Sequence, residues 1–335
     1  MNTLVIRRPD DFHVHLRQGA ACSDYSRDAL KAGWARVLVM PNTVPPITEP
    51  VGLRNYQRNI ESAAPGLIPL MTFQIRPEHN EEVIFQLKNA GAIAGKLYPD
   101  GVTTNSDTGI RDLRMIYPAL EAMEKVGLVM CIHGEEPGAP LMEREERFLK
   151  HLKTLQRDFP KLKIVLEHVS SQKGIQAVLD SSSNVAGTIT IHHLLFTLDD
   201  LAGGKLNPHL FCKPILKSPK DRQAIQEAAL SGNPKFFFGS DSAPHPRAEK
   251  EGATAKAGIY TMPVSLSLLV QFFEERGALD RLEPFVSQFG AEFYGLPLNS
   301  GKIRLEKEFW TVSKLYHNAV PLMAGERLPW RLASL

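Results

Sequence analysis

The sequence predicts an α/β fold, specifically a (β/α)8 TIM-type barrel. Short apolar runs alternate with longer helical stretches, and eight candidate strands can be counted. Many runs (VLVM, LVMCI, IVLEHV, FFFG) are continuously apolar, as parallel strands buried on both faces should be. The length of 335 residues suits one such barrel, and no linker, charge block, repeat or low-complexity tract divides it. One domain over 1–335 is expected. Periodicity does not show closure, so a doubly wound open sheet is the alternative.

The strands are expected at 11–17 (DFHVHLR), 36–41 (RVLVMP), 67–74 (LIPLMTFQ), 93–98 (IAGKLY), 128–133 (LVMCIH), 163–169 (KIVLEHV), 184–192 (NVAGTITIH) and 235–241 (KFFFGSD). Helical stretches lie between them at 24–32, 78–90, 112–126, 141–158, 172–180 and 221–230. Gly33 and Gly127 end helices, while Pro41, Pro99 and Pro244 follow strands. After about residue 262 come more helix (263–276 and 282–289) and then an irregular tail suited to packing or oligomer contact.

Composition excludes several function classes. Lys and Arg total 39 against 37 Asp and Glu, a net charge of +2, which leaves no basic excess for nucleic acid or an anionic membrane. No apolar run approaches the roughly 18–20 residues of a spanning helix, and MNTLVIRRPDD lacks the apolar core of a signal peptide. The three cysteines (Cys22, Cys131, Cys212) are scattered, so a disulfide framework is not expected and a cytoplasmic location is.

The chemistry sits at strand ends. His13 and His15 are two apart, so on a strand both imidazoles point to one face, as a metal needs. Arg17 continues that parity, and a cation beside a metal suggests an anionic substrate. His133, His168 and Asp241 each end a buried run, and on a barrel those ends share one mouth. Any one of them alone would read as a core histidine or a cap; together they point to a metal centre. Lys96 ends the fourth strand, where burial disfavours the ammonium and a neutral amine could take up CO2 as a carbamate; taken alone, it reads instead as a Lys paired with an Asp or Glu at the barrel mouth. His192 and His193, at the end of the seventh strand, are read as structural hydrogen-bonders. Cys131 and Phe236–Phe238 are read as core.

The set DDFHVHLR, MPNT, GKLYPDGVTTNS, HGE, EHVSS, CKPILK and GSDSAPH resembles the short, bacterial-type (class II) dihydroorotases of the amidohydrolase superfamily, in order from about residue 10 to 250. Only twelve residues precede His13, against the small β-domain usual in longer cyclic amidohydrolases, which favours the short class.

The resemblance implies two Zn2+ bridged by carbamylated Lys96 and a hydroxide. His13, His15 and Asp241 would bind one ion with the carbamate, and His133 and His168 the other. Asp241 would be the catalytic proton shuttle. Arg17, Asn42 and His245 would hold the substrate carboxylate, Thr103 and Thr104 would lie on a closing loop, and Lys213 and Ala257 would meet substrate through their backbones. Lys213 departs from the family pattern, which has an apolar residue there. The implied reaction is reversible closure of N-carbamoyl-L-aspartate to L-dihydroorotate plus water in pyrimidine synthesis. The substrates are small molecules, with no nucleic-acid or membrane partner, and a homodimer is expected. The alternatives are another cyclic amidohydrolase (hydantoinase, dihydropyrimidinase or allantoinase type) and a catalytically inactive scaffold barrel.

Overall fold

The computed structural model describes residues 2–102 and 109–334. Eight parallel strands form one sheet in chain order: Asp10–Val14, Arg36–Val39, Ile68–Gln74, Ala92–Leu97, Val129–Ile132, Ile164–Leu166, Val185–Ile189 and Phe236–Phe238. The last strand returns to the first. Val14 bridges Ser242, and the Ser240 N–H donates to the Asp11 carboxylate at 2.7 Å. That contact closes the barrel and removes the open-sheet alternative.

Apolar residues divide into two layers. Phe12, Leu38, Leu70, Ala94, Val129, Cys131, Val165, Ala186 and Phe237 fill the barrel interior. Their sequence neighbours, such as Val37, Val39, Phe236 and Phe238, face the surrounding helices. This period of two is what a filled barrel requires. The helix Phe289–Tyr294 plugs the N-terminal end, with Tyr294 stacked on Phe12 at 5.0 Å between ring centroids. Gly290 makes that approach possible, because a Cβ there would lie 2.3 Å from the Phe12 ring. Among the described residues, no helix is long and apolar enough to cross a membrane.

Three expectations change. The helix Pro50–Ala63 was not among those read from the sequence; Leu53, Tyr56 and Ile60 are its buried stripe, and Pro50 begins it. The tail after the last expected helix is not irregular throughout: Lys302–Glu306 pairs with both Thr3–Arg7 and Arg331–Ser334 in an antiparallel sheet. Thr3 and Glu306 pair across 303 positions, which local patterning cannot reveal. The seventh strand stops at Ile189, and His192 and His193 lie on the helix Ile191–Leu195, capped by the Thr190 side chain.

Candidate active site

The barrel brings most of the expected residues to one mouth. His13 lies within the first strand and Lys96 within the fourth; His15, Asn42, His133, His168 and Asp241 follow the ends of theirs. With Arg17, Lys213 and Ala257, all of these except Lys96 line one cavity. Lys96 is fully buried. Thr103 and Thr104 lie outside the described residues.

The first strand ends at Val14, not at residue 17, so Arg17 is not placed by strand parity. It has a left-handed backbone, φ 63°. Its Nε donates to the Pro244 carbonyl at 2.8 Å, and its Nη2 lies 3.0 Å from His245 Nε2. His168 (φ 42°) and Asp241 (φ 46°) share this uncommon conformation. Three functional candidates are thus held in backbone geometry that only the surrounding barrel stabilises.

The donor atoms converge. His13 Nε2 is 3.4 Å from His15 Nε2, and the two lie 3.3 and 3.1 Å from Asp241 Oδ1. Tetrahedral zinc, with bonds of about 2.0–2.1 Å, keeps its ligands roughly 3.3–3.4 Å apart. The remote nitrogens are fixed: His13 Nδ1 donates to Glu167 and His15 Nδ1 to the Asn42 carbonyl, both at 2.8 Å. Each bond leaves the Nε2 lone pair facing its neighbours, the arrangement metal-binding histidines use. His133 Nε2 similarly donates to Glu135 at 2.7 Å. Burial pushes the Glu135 carboxyl up, but the bond from His133 together with the charges of His133, Lys217 and Arg144 holds the group below its usual range.

Among the described residues, the buried polar atoms without a hydrogen-bond partner include Lys96 Nζ and His168 Nδ1. Burial lowers the Lys96 pKa, opposed by Glu167, Cys131 and Asp241. A fully buried, unpaired ammonium is costly, so this site fits a group that would turn the amine into an anion. Burial would raise the Asp241 carboxyl, but His13, His15 and Lys96 pull it down to about 2, so it is ionised. His245 is drawn down to about 2 by burial and by Arg17, and its ring is neutral. The donor set, its spacing and its oriented rings fit divalent metal.

Sequence reasoning missed Glu135, Glu167, Thr188 and Tyr98. Glu167 also accepts from Thr188, whose hydroxyl oxygen in turn accepts the His168 N–H at 2.7 Å. Tyr98 lines the cavity, and its hydroxyl has no hydrogen-bond partner among the described residues. The available signal was an acid within two residues of a strand-end histidine, as in HGE and EHVSS.

Known proteins resemble this chain along its whole length. The amidohydrolase family pattern matches residues 10–320. A dihydroorotase of Teredinibacter turnerae is 44% identical over 341 residues, covering 99% of both chains. The crystal structure of dihydroorotase from Saccharomyces cerevisiae, in complex with 5-fluoroorotic acid, superposes with a TM-score of 0.95 at 35% identity, covering 100% of this chain and 99% of that one. Dihydroorotase from Campylobacter jejuni gives 0.93 at 36% identity, covering 99% and 98%.

Proposed function

The chain belongs to the amidohydrolase family, and from that premise we propose that it is a metal-dependent dihydroorotase. It interconverts N-carbamoyl-L-aspartate and L-dihydroorotate in pyrimidine synthesis. The observation that carries this reading is the adjacency of two devices. A three-donor cluster of metal-ligand spacing (His13, His15, Asp241) sits beside the Arg17–His245 pair, which suits an anionic ring substituent.

His13, His15 and Asp241 would hold one divalent ion, His133 and His168 a second, and a carbamate on Lys96 both, with zinc expected. When bound, the metals would polarise the ring carbonyl and lower the pKa of nearby water. The protein's own groups do the rest. Arg17, with Asn42 and His245, orients the substrate carboxylate; Asn42 also keeps His15 in its tautomer. Lys213 and Ala257 line the cavity and would border the ring through their backbones. In hydrolysis, Asp241 accepts the proton of the attacking water and passes it to the leaving ring nitrogen; in closure it delivers a proton to the departing oxygen. The three free, buried cysteines fit a reducing cytoplasm.

Ring closure consumes a proton, so its equilibrium shifts about tenfold per pH unit, and hydrolysis is best assayed on the alkaline side. The test is loss of dihydroorotate absorbance with purified protein, with hydantoin as control. Turnover of dihydroorotate but not hydantoin is expected; preference for hydantoin would move the assignment to the neutral-ring amidohydrolases.

A further inference from the structure

Lys250 ends the short helix Arg247–Lys250, just beyond His245, and is only 3% exposed. Its ammonium donates to three backbone carbonyls: Phe211 at 2.9 Å, Lys256 at 3.0 Å and Gly258 at 2.7 Å. That uses every N–H the group has. No carboxylate pairs with it among the described residues. A buried charge in such a setting is costly unless its hydrogen bonds are complete. Here they are complete, and all are made to backbone.

The three carbonyls belong to two segments that form one wall of the cavity. Phe211 precedes Cys212 and Lys213, and Lys256 and Gly258 flank Ala257; Lys213, Ala257 and Gly258 line the cavity. The segments also meet directly, with the Gly258 N–H donating to the Phe211 carbonyl at 2.9 Å. The Ala257 carbonyl in turn lies 3.0 Å from His245 Nε2, next to Arg17. Without a cation between them, carbonyl dipoles converging on one point would repel and the segments would part.

We propose that Lys250 is a positioning residue for substrate binding: its ammonium holds the 211–213 and 256–258 backbones together as one wall and keeps His245 and Arg17 in register with it. The inference rests on the dihydroorotase reading. Burial draws the Lys250 pKa down to about 8, which leaves the group protonated at neutral pH. Lys250 touches none of the proposed metal donors, so its effect is on substrate affinity and not on metal.

The experiment is steady-state kinetics with dihydroorotate on the metal-loaded protein, with metal content and melting temperature measured in parallel. Lys250→Met removes charge and donors at similar length. KM is expected to rise about tenfold or more, the scale of lost charge-assisted bonds, with kcat within about threefold and metal unchanged. Lys250→Arg should recover part of the loss by restoring charge and donors. If Lys250→Met does not fold, Lys250→Gln decides on the same readout, with a smaller KM rise expected because two donors remain. Unchanged KM in a folded Met or Gln variant, even with a lowered melting temperature, overturns the proposal. So does a loss of activity that follows loss of metal. Wild-type protein inert toward dihydroorotate would instead defeat the underlying functional reading.

Discussion

Among the described residues, two groups of three possible metal ligands lie largely out of solvent. His13, His15 and Asp241 form one; His192, His193 and Cys212 form the other, and in each the possible ligand atoms lie within 4.8 Å. They differ in what orients them. At the mouth, the remote nitrogens of His13 and His15 are held by Glu167 and Asn42, and the near nitrogens face an ionised carboxylate. In the second group both His193 nitrogens are engaged, by Thr190 Oγ1 at 2.8 Å and the Pro214 carbonyl at 3.2 Å. The Cys212 thiol donates to that same carbonyl, and burial raises its pKa, so it stays S–H. His192 has no partner on either nitrogen among the described residues, so the expectation of structural hydrogen bonds holds for His193 and fails for His192. Burial lowers His192 to about 3 and keeps its ring neutral. The difference teaches that donor types in proximity do not by themselves make a candidate metal site; the first group adds oriented lone pairs beside an ionised carboxylate.

The largest test of this contrast is Lys96→Ala. It removes the residue proposed to carry the shared anion, and kcat/KM should fall by about 10^3-fold or more with loss of bound metal. Short carboxylic acids should restore part of the rate. Elemental analysis of the active parent should find about two ions per chain; activity in Lys96→Ala within tenfold of the parent would remove the carbamate from the scheme.

Glu167→Gln comes next. It weakens the acceptor that fixes the His13 tautomer, so metal affinity, read by competition with a chelator, should drop roughly 10–100-fold. Unchanged affinity would mean that the carboxylate does not orient the ring.

Arg17→Lys should raise KM for dihydroorotate about tenfold, because an ammonium cannot reproduce the planar fork, while metal content stays at the parental level. If affinity is unaltered, the substrate carboxylate is held elsewhere.

The smallest effect is expected in the second group. Cys212→Ser should leave metal stoichiometry unchanged, and cobalt-substituted protein should show no thiolate-to-cobalt charge-transfer absorption that the substitution removes. Such a band would make the His192–His193–Cys212 group a metal site after all.

Strand positions were legible because buried parallel strands are apolar throughout, and all eight expected runs overlap a barrel strand. Their ends were not. The expected sixth and eighth strands run to 169 and 241, whereas the ladders stop at Leu166 and Phe238. The residues beyond, including His168 and Asp241, leave the sheet with positive φ to turn toward the mouth. An apolar pattern cannot signal that departure, because these residues are as buried as the strand itself.

By itself the sequence determined the eight strand runs and the candidate ligands, since both follow from local residue type: apolar runs that demand burial and polar groups at their ends. Only the tertiary structure decided which group serves which. Glu167 meets His13 across 154 positions, Arg17 meets His245 across 228, and the Lys250 ammonium joins two segments of backbone. Hydrogen bonds are short-ranged and directional, so such pairings exist only once closure of the barrel has brought distant strand ends within about 3 Å of one another.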